Sequence, residues 1–80
     1  MAEIKVDSEL DCSGLLCPMP IVKLKDALMG IKPGQVLKMT ATDPGSRTDV
    51  PAFCRRTGHE LLMAGEEGGK FAYNLKRRVE

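Results

Sequence analysis

Polar and apolar residues alternate at the start of the chain. Ile4, Val6, Ser8 and Leu10 share one face, and Lys5, Asp7 and Glu9 the other. A period of two with one apolar face predicts a half-buried strand. Asp11 to Gly14 then read as a turn, in which Gly14 can take positive φ. From Pro18 to Met29 the period lengthens. Ile21, Leu24, Ala27 and Leu28 form one stripe, while Lys23, Lys25 and Asp26 point away from it. This predicts a helix with Gly30 as its C′ residue, and Pro33-Gly34 bars continuation. Alternation returns over Val36–Thr42, with Leu37, Met39 and Ala41 facing inward. Asp43-Pro44-Gly45 signals a turn.

A second helix is expected over Asp49–Thr57. Thr48 serves as its N-cap, Pro51 falls in the first turn, and Gly58 ends it. Val50, Phe53 and Cys54 make its inner stripe. Glu60–Ala64 reads as a third strand, Gly65–Gly69 as a hairpin loop, and Phe71, Tyr73 and Leu75 as one face of a last strand. The order β-α-β-α-β-β predicts a mixed four-stranded sheet with both helices on one face, a two-layer α/β (α+β) sandwich. Residues 1–80 are expected to form one domain.

Composition narrows this picture by exclusion. In 80 residues, 42% hydrophobic and 29% charged content suit an ordinary globular protein, and a formal net charge of +1 gives no strong pull toward nucleic acid or membrane. No apolar run approaches bilayer length, and the first ten residues lack a signal-peptide core, so a cytoplasmic location is expected. The chain is expected to be a monomer. Three cysteines, an odd number, argue against a secreted disulfide framework.

Gly14-Leu15-Leu16-Cys17-Pro18-Met19-Pro20 explains itself poorly as packing alone. Cys17 sits where strand becomes helix, with Pro18 at the expected first helical position. As N-cap its sulfur would face free N–H groups and the positive end of the helix dipole. Such a thiol should titrate below an ordinary one, and the thiolate is the nucleophile. The competing reading is a small buried hydrophobe, the commoner fate of a free cysteine. Cysteine is a poor hydrogen-bonding cap, however, which favours chemistry over packing.

Asp11-Cys12-Ser13-Gly14-Leu15-Leu16-Cys17-Pro18-Met19-Pro20 resembles the D-x-x-G-L-x-C-P-x-P signature of the TusA (SirA-like) sulfur-carrier family. A second block resembles the same family: Asp43-Pro44, Asp49-Val50-Pro51, Phe53-Cys54 and Gly58-His59-Glu60-Leu61. The resemblance covers essentially the whole chain. It implies a cytoplasmic carrier that holds sulfane sulfur as a persulfide on Cys17, a sulfurtransferase without independent turnover and without a cofactor. It further implies a donor protein, a cysteine desulfurase or a rhodanese-like protein, and an acceptor protein. The pathways implied are tRNA thiolation, molybdenum-cofactor assembly or dissimilatory sulfur metabolism. Gly14, Pro18 and Pro20 would support the site, the two prolines by stiffening the approach to the sulfur. Met19, Lys23 and Arg47, the last in the loop before the second helix, are candidate docking residues for an acidic partner.

The remaining candidates read more simply. Cys54 belongs to a core stripe, and Cys12 is an incidental turn residue, with a resolving thiol for Cys17 as the alternative redox role. His59 is a capping or strand-start residue at a helix C-terminus, where an imidazolium is favoured. Asp43 reads as a turn residue and Asp49 as a first-turn helix acid. Lys76-Arg77-Arg78 reads as a solvated charge run. Two other functions compete. Cys12-x4-Cys17 with Cys54-x4-His59 supplies a Cys3His set for structural zinc, but Cys54 is needed in the core. An RNA-binding domain would lack both a basic stripe and a stacking platform, since Phe53, Phe71 and Tyr73 are the only aromatics.

Overall fold

The computed structural model describes residues 5–79. Its elements are β1 (Ser8–Cys12), α1 (Met19–Met29), β2 (Val36–Ala41), α2 (Ser46–Thr57), β3 (Glu60–Glu67) and β4 (Lys70–Lys76). The sheet order is β1-β2-β4-β3, with β1 parallel to β2 and β4 antiparallel to both neighbours. This is the expected mixed sheet, and β4 occupies its middle. Leu37, Met39 and Ala41 pair with Leu75, Tyr73 and Phe71, so the inward faces of β2 and β4 coincide. Leu24 and Leu28 of α1 and Val50, Phe53 and Cys54 of α2 close over that face. Both apolar stripes read from the sequence are therefore the buried ones.

Several boundaries differ from the sequence reading; β2 stops at Ala41, one residue before Thr42, and the larger differences have local reasons. The first strand is displaced toward its C-terminus, because Ser8–Cys12 pairs with Leu37–Ala41. Ile4, placed on that strand by the alternation, lies outside the described residues. Cys12 is consequently no turn residue; it ends β1 facing inward and is fully buried. Helix α1 has Pro18 as its N-cap, one residue later than expected, and Cys17 lies just outside. Gly30 caps its other end in right-handed conformation, φ −89°, not left-handed.

Helix α2 starts at Ser46, which places Pro51 inside it. An interior proline costs on the order of 3 kcal/mol. The local bonding offsets that. The Asp43 carbonyl accepts the Ser46 N–H at 3.0 Å, and the Gly45 carbonyl accepts those of Thr48 and Asp49 at 3.1 and 2.9 Å. The buried Ser46 hydroxyl also lies 2.7 Å from the Tyr73 hydroxyl, tying this first turn to β4. The last difference is the hairpin. Gly68 and Gly69 take φ of 56° and 81°, the conformation a two-residue turn needs, so β3 runs on to Glu67 where a longer loop was expected.

The basic run near the C-terminus is not merely solvated. The Arg77 guanidinium donates to the Ile31 carbonyl just past α1, and that of Arg78 donates to the Thr57 carbonyl at 2.6 Å. Both bonds satisfy carbonyls at helix C-terminal ends. His59 also departs from expectation. Its Nδ1 accepts the Arg78 backbone N–H at 3.0 Å, and its ring stacks on Phe53. Burial, with Arg78 and Arg77 nearby, holds its pKa below the usual histidine value, so the neutral ring is favoured. Among the described residues no helix is long and apolar enough to cross a membrane.

Candidate functional site

The parallel pairing of β1 and β2 builds the site. Cys12 is in register with Ala41, so both strands end together and their following loops lie side by side. The Gly14 N–H donates to Thr42 Oγ1 at 2.8 Å, joining those loops directly. Gly14 takes φ 82°, as the turn expected there requires. One loop delivers Cys17 and the other delivers Asp43, with α2 rising immediately behind it. Loops beyond the carboxyl ends of strands are the usual place for a site in such a layered fold.

Cys17 is the exposed member of the three free cysteines; Cys12 and Cys54 are buried. Two carboxylates converge on it. The Cys17 backbone N–H donates to Asp43 Oδ2 at 3.1 Å, and its Sγ lies 3.5 Å from Asp49 Oδ2. Asp43 also accepts the Gly45 N–H through Oδ1, at 3.3 Å. A shallow groove of about 210 Å³ runs beside the sulfur, lined by Cys17, Pro18, Ile21, Asp49, Ala52 and Arg56.

The surroundings of the sulfur run against the expectation of an easily ionised thiol. The Asp49 carboxylate accepting the thiol's hydrogen bond, then burial and the charges of Asp49 and Asp43, push the Cys17 thiol above its ordinary value. The helix start does not compensate, because its donors are already engaged. The Met19 N–H bonds to the Leu16 carbonyl at 2.9 Å, and those of Ile21 and Val22 bond to the Pro18 carbonyl. Pro18 and Pro20 have no N–H at all. The two prolines that marked the helix start thus strip it of the groups that would have stabilised an anion.

Of the candidate docking residues, Met19 is exposed two positions from the sulfur. Lys23 and Arg47 are exposed but do not line the groove. Lys23 sits near enough to Cys12 for its charge to act on that thiol. Arg47 belongs to the first turn of α2, not the preceding loop, and its guanidinium lies 5.8 Å from the centre of the Phe71 ring. Sequence reasoning missed Leu16, 71% exposed beside the sulfur, and missed that Asp43 and Asp49 both bond Cys17 while Arg56 lines its groove. An aspartate in a turn and another in a helix carry no local sign that they meet a cysteine 26 or 32 positions away. Among the described residues no three His, Cys, Asp or Glu side chains are grouped to hold a metal ion, so the Cys3His set is not assembled.

A family model described as sulfurtransferase TusA matches residues 8–77. The sulfur carrier protein TusA of Allochromatium vinosum is 52% identical over 71 residues, covering 89% of this chain and 93% of the relative. That of Pseudomonas paraeruginosa is 41% identical over 75 residues, covering 94% and 95%. A crystal structure of a SirA-like protein from Desulfitobacterium hafniense matches with a TM-score of 0.77 at 19% identity, covering 90% of this chain and 99% of that one. That likeness concerns the fold. The family match and the near full-length relatives decide the rest: the chain belongs to the TusA family.

Proposed function

We propose that this chain is a single-domain, monomeric sulfur carrier of the cytoplasm, which takes up sulfane sulfur as a persulfide on Cys17 and passes it to an acceptor protein. The observation that carries this reading is the exposure of Cys17 while Cys12 and Cys54 are buried. A thiol that must meet the sulfur of one protein and then of another has to stand at the surface. The relatives named sulfur carrier proteins support the same reading. The donor is a cysteine desulfurase or a rhodanese-like protein. The onward route is tRNA thiolation, molybdenum-cofactor assembly or dissimilatory sulfur metabolism.

The chemistry is thiol–persulfide exchange. The Cys17 sulfur attacks the outer sulfur of the donor persulfide; a new S–S bond forms and the donor's own S–S bond breaks. The proton leaving Cys17 is balanced by the one the departing donor thiolate takes up, so no external oxidant is needed. Gly14 and Pro18 shape the loop that holds the sulfur out, and buried Pro20 anchors the first turn of α1 against the core. Exposed Leu16 and Met19 flank the sulfur with apolar surface for a partner to cover. Lys23 and Arg47 act at the periphery of that surface.

Incubation with inorganic polysulfide followed by intact-mass measurement tests the reading. One added sulfur, about 32 Da, should map to Cys17 and vanish in Cys17→Ser. Loading that persists in Cys17→Ser would overturn it.

A further inference from the structure

The proposal rests on the carrier reading and concerns the same sulfur. We propose that Asp49 and Asp43 hold the Cys17 sulfur as a protonated thiol in the free carrier, and that the donor protein releases it by bringing a cationic side chain against the two carboxylates. Asp49 Oδ2 lies 3.5 Å from Sγ, while Asp43 Oδ2 lies 3.1 Å from the nitrogen of the same residue. These acids come from two different elements, the β2–α2 loop and the helix itself. Among the described residues neither forms an ion pair, the one ion pair present being Lys38–Glu67. Arg56 lines the same groove yet forms no ion pair with either carboxylate.

The charged groups facing the sulfur are therefore Asp43 from the loop and Asp49 and Arg56 from α2. Removing a proton from the thiol would put a third negative charge beside two others. A carrier made this way resists adventitious oxidation and alkylation between partners, since the thiol reacts poorly. A lysine or arginine of the docked donor, set between the carboxylates, reverses the balance at the moment of transfer. The docking surface is thus acidic at its centre, and the partner it fits is basic there. Lys23 and Arg47 suggested an acidic partner from sequence, but they lie outside the groove that contains the sulfur.

Charged disulfide probes test this without any knowledge of the donor. Cystamine is a dication and dithiodiglycolate a dianion; each reacts with Cys17 by exchange, forming one S–S bond and releasing one thiolate. The ratio of their rates in the native chain, divided by the ratio in Asp43→Asn/Asp49→Asn, cancels their intrinsic reactivities. That quotient should be about fivefold in favour of the cation at low salt, and should fall toward one at about 1 M salt. Alkylation of Asp49→Asn should also show a midpoint lower by about half to one pH unit. Thiolate abundance then rises up to about tenfold while nucleophilicity falls, leaving a rate near pH 7 about threefold faster. Asp43 accepts the Cys17 and Gly45 N–H groups through different oxygens, so Asp43→Asn keeps an acceptor for one of the two, and a circular-dichroism melt confirms that the variants fold. A quotient of one at low salt, or an unchanged midpoint in Asp49→Asn, overturns the proposal even if Cys17 loads sulfur normally. Failure to load, with the charge preference intact, overturns the carrier reading and the donor step that rests on it, while the hold of the two carboxylates on the thiol is overturned only by the first pair of results.

Discussion

The two ends of the sandwich handle charge in opposite ways. Where the helices finish, Arg77 and Arg78 are tied into the fold by bonds to the Ile31 and Thr57 carbonyls, and His59 is held neutral between Phe53 and the Arg78 backbone. Where the helices begin, Asp43 and Asp49 stand at Cys17 with no ion-pair partner among the described residues. Each end departs from its simplest expectation. A helix N-terminus ordinarily favours an anion, and this one carries two carboxylates against a thiol. A terminal basic run ordinarily stays in solvent, and this one caps two helices. The lesson is that a helix end acts through the donors and acceptors left unbonded there, and α1 leaves almost none at its start.

The sharpest way to break that comparison is at the structural end. Arg77→Ala removes a charge-assisted bond to a carbonyl and should cost about 1.5–3 kcal/mol. Urea unfolding should show a lower midpoint with an unchanged slope. Alkylation of Cys17 in the folded protein should not change. If reactivity falls together with stability, the two ends are coupled and the contrast fails.

A smaller effect is expected between the ends. Tyr73→Phe deletes the 2.7 Å hydroxyl pair with Ser46 and leaves that buried serine without its partner. The cost should be about 1 kcal/mol, read from the same unfolding curves. A loss indistinguishable from zero would mean that the first turn of α2 is held by the Asp43 and Gly45 carbonyls alone.

How much of this was legible in the sequence follows from the range of the forces involved. The strands and stripes were readable because burial imposes periods of two and 3.6 on neighbours in the chain. Gly58, whose φ of 85° ends α2, was readable for the same local reason. Cys17 was readable as an odd choice before a proline. What escaped depends on contacts between distant positions. Ser46 starts α2 because Tyr73 reaches it, and no local rule announces that pair. Cys12 looked like a turn residue until β2 set the register of β1. The acids around Cys17 are the costliest miss, because they invert the electrostatics inferred from the helix alone.

Placing a second cation beside Arg56 in the groove sharpens the comparison further. Ala52 lines the groove beside Cys17 and Asp49, about one helical turn after Asp49 on α2. Ala52→Lys puts an ammonium there without disturbing either carboxylate, and lysine is a good helix former. Alkylation of Cys17 near pH 7 should quicken about twofold, with the gain fading as salt is raised. An equal gain from Ala52→Gln would assign the effect to bulk in the groove and not to charge.

The smallest effect concerns His59 and has a definite sign. Its pKa is lowered in the folded chain by burial first and by Arg78 and Arg77 after it, so the unfolded chain binds the proton more readily. Stability linked to this group is then fully present above the unfolded value of about 6.5 and is lost as pH falls through the folded one. Protonation would also put hydrogen on the Nδ1 that accepts the Arg78 N–H, removing that bond. His59→Asn keeps an acceptor oxygen at a similar reach but does not titrate. Unfolding free energies measured from pH 7 down to pH 5 should fall more steeply for the native chain than for His59→Asn. Parallel profiles would show that His59 titrates alike in both states, and that this end of the molecule tolerates the positive charge its geometry argues against.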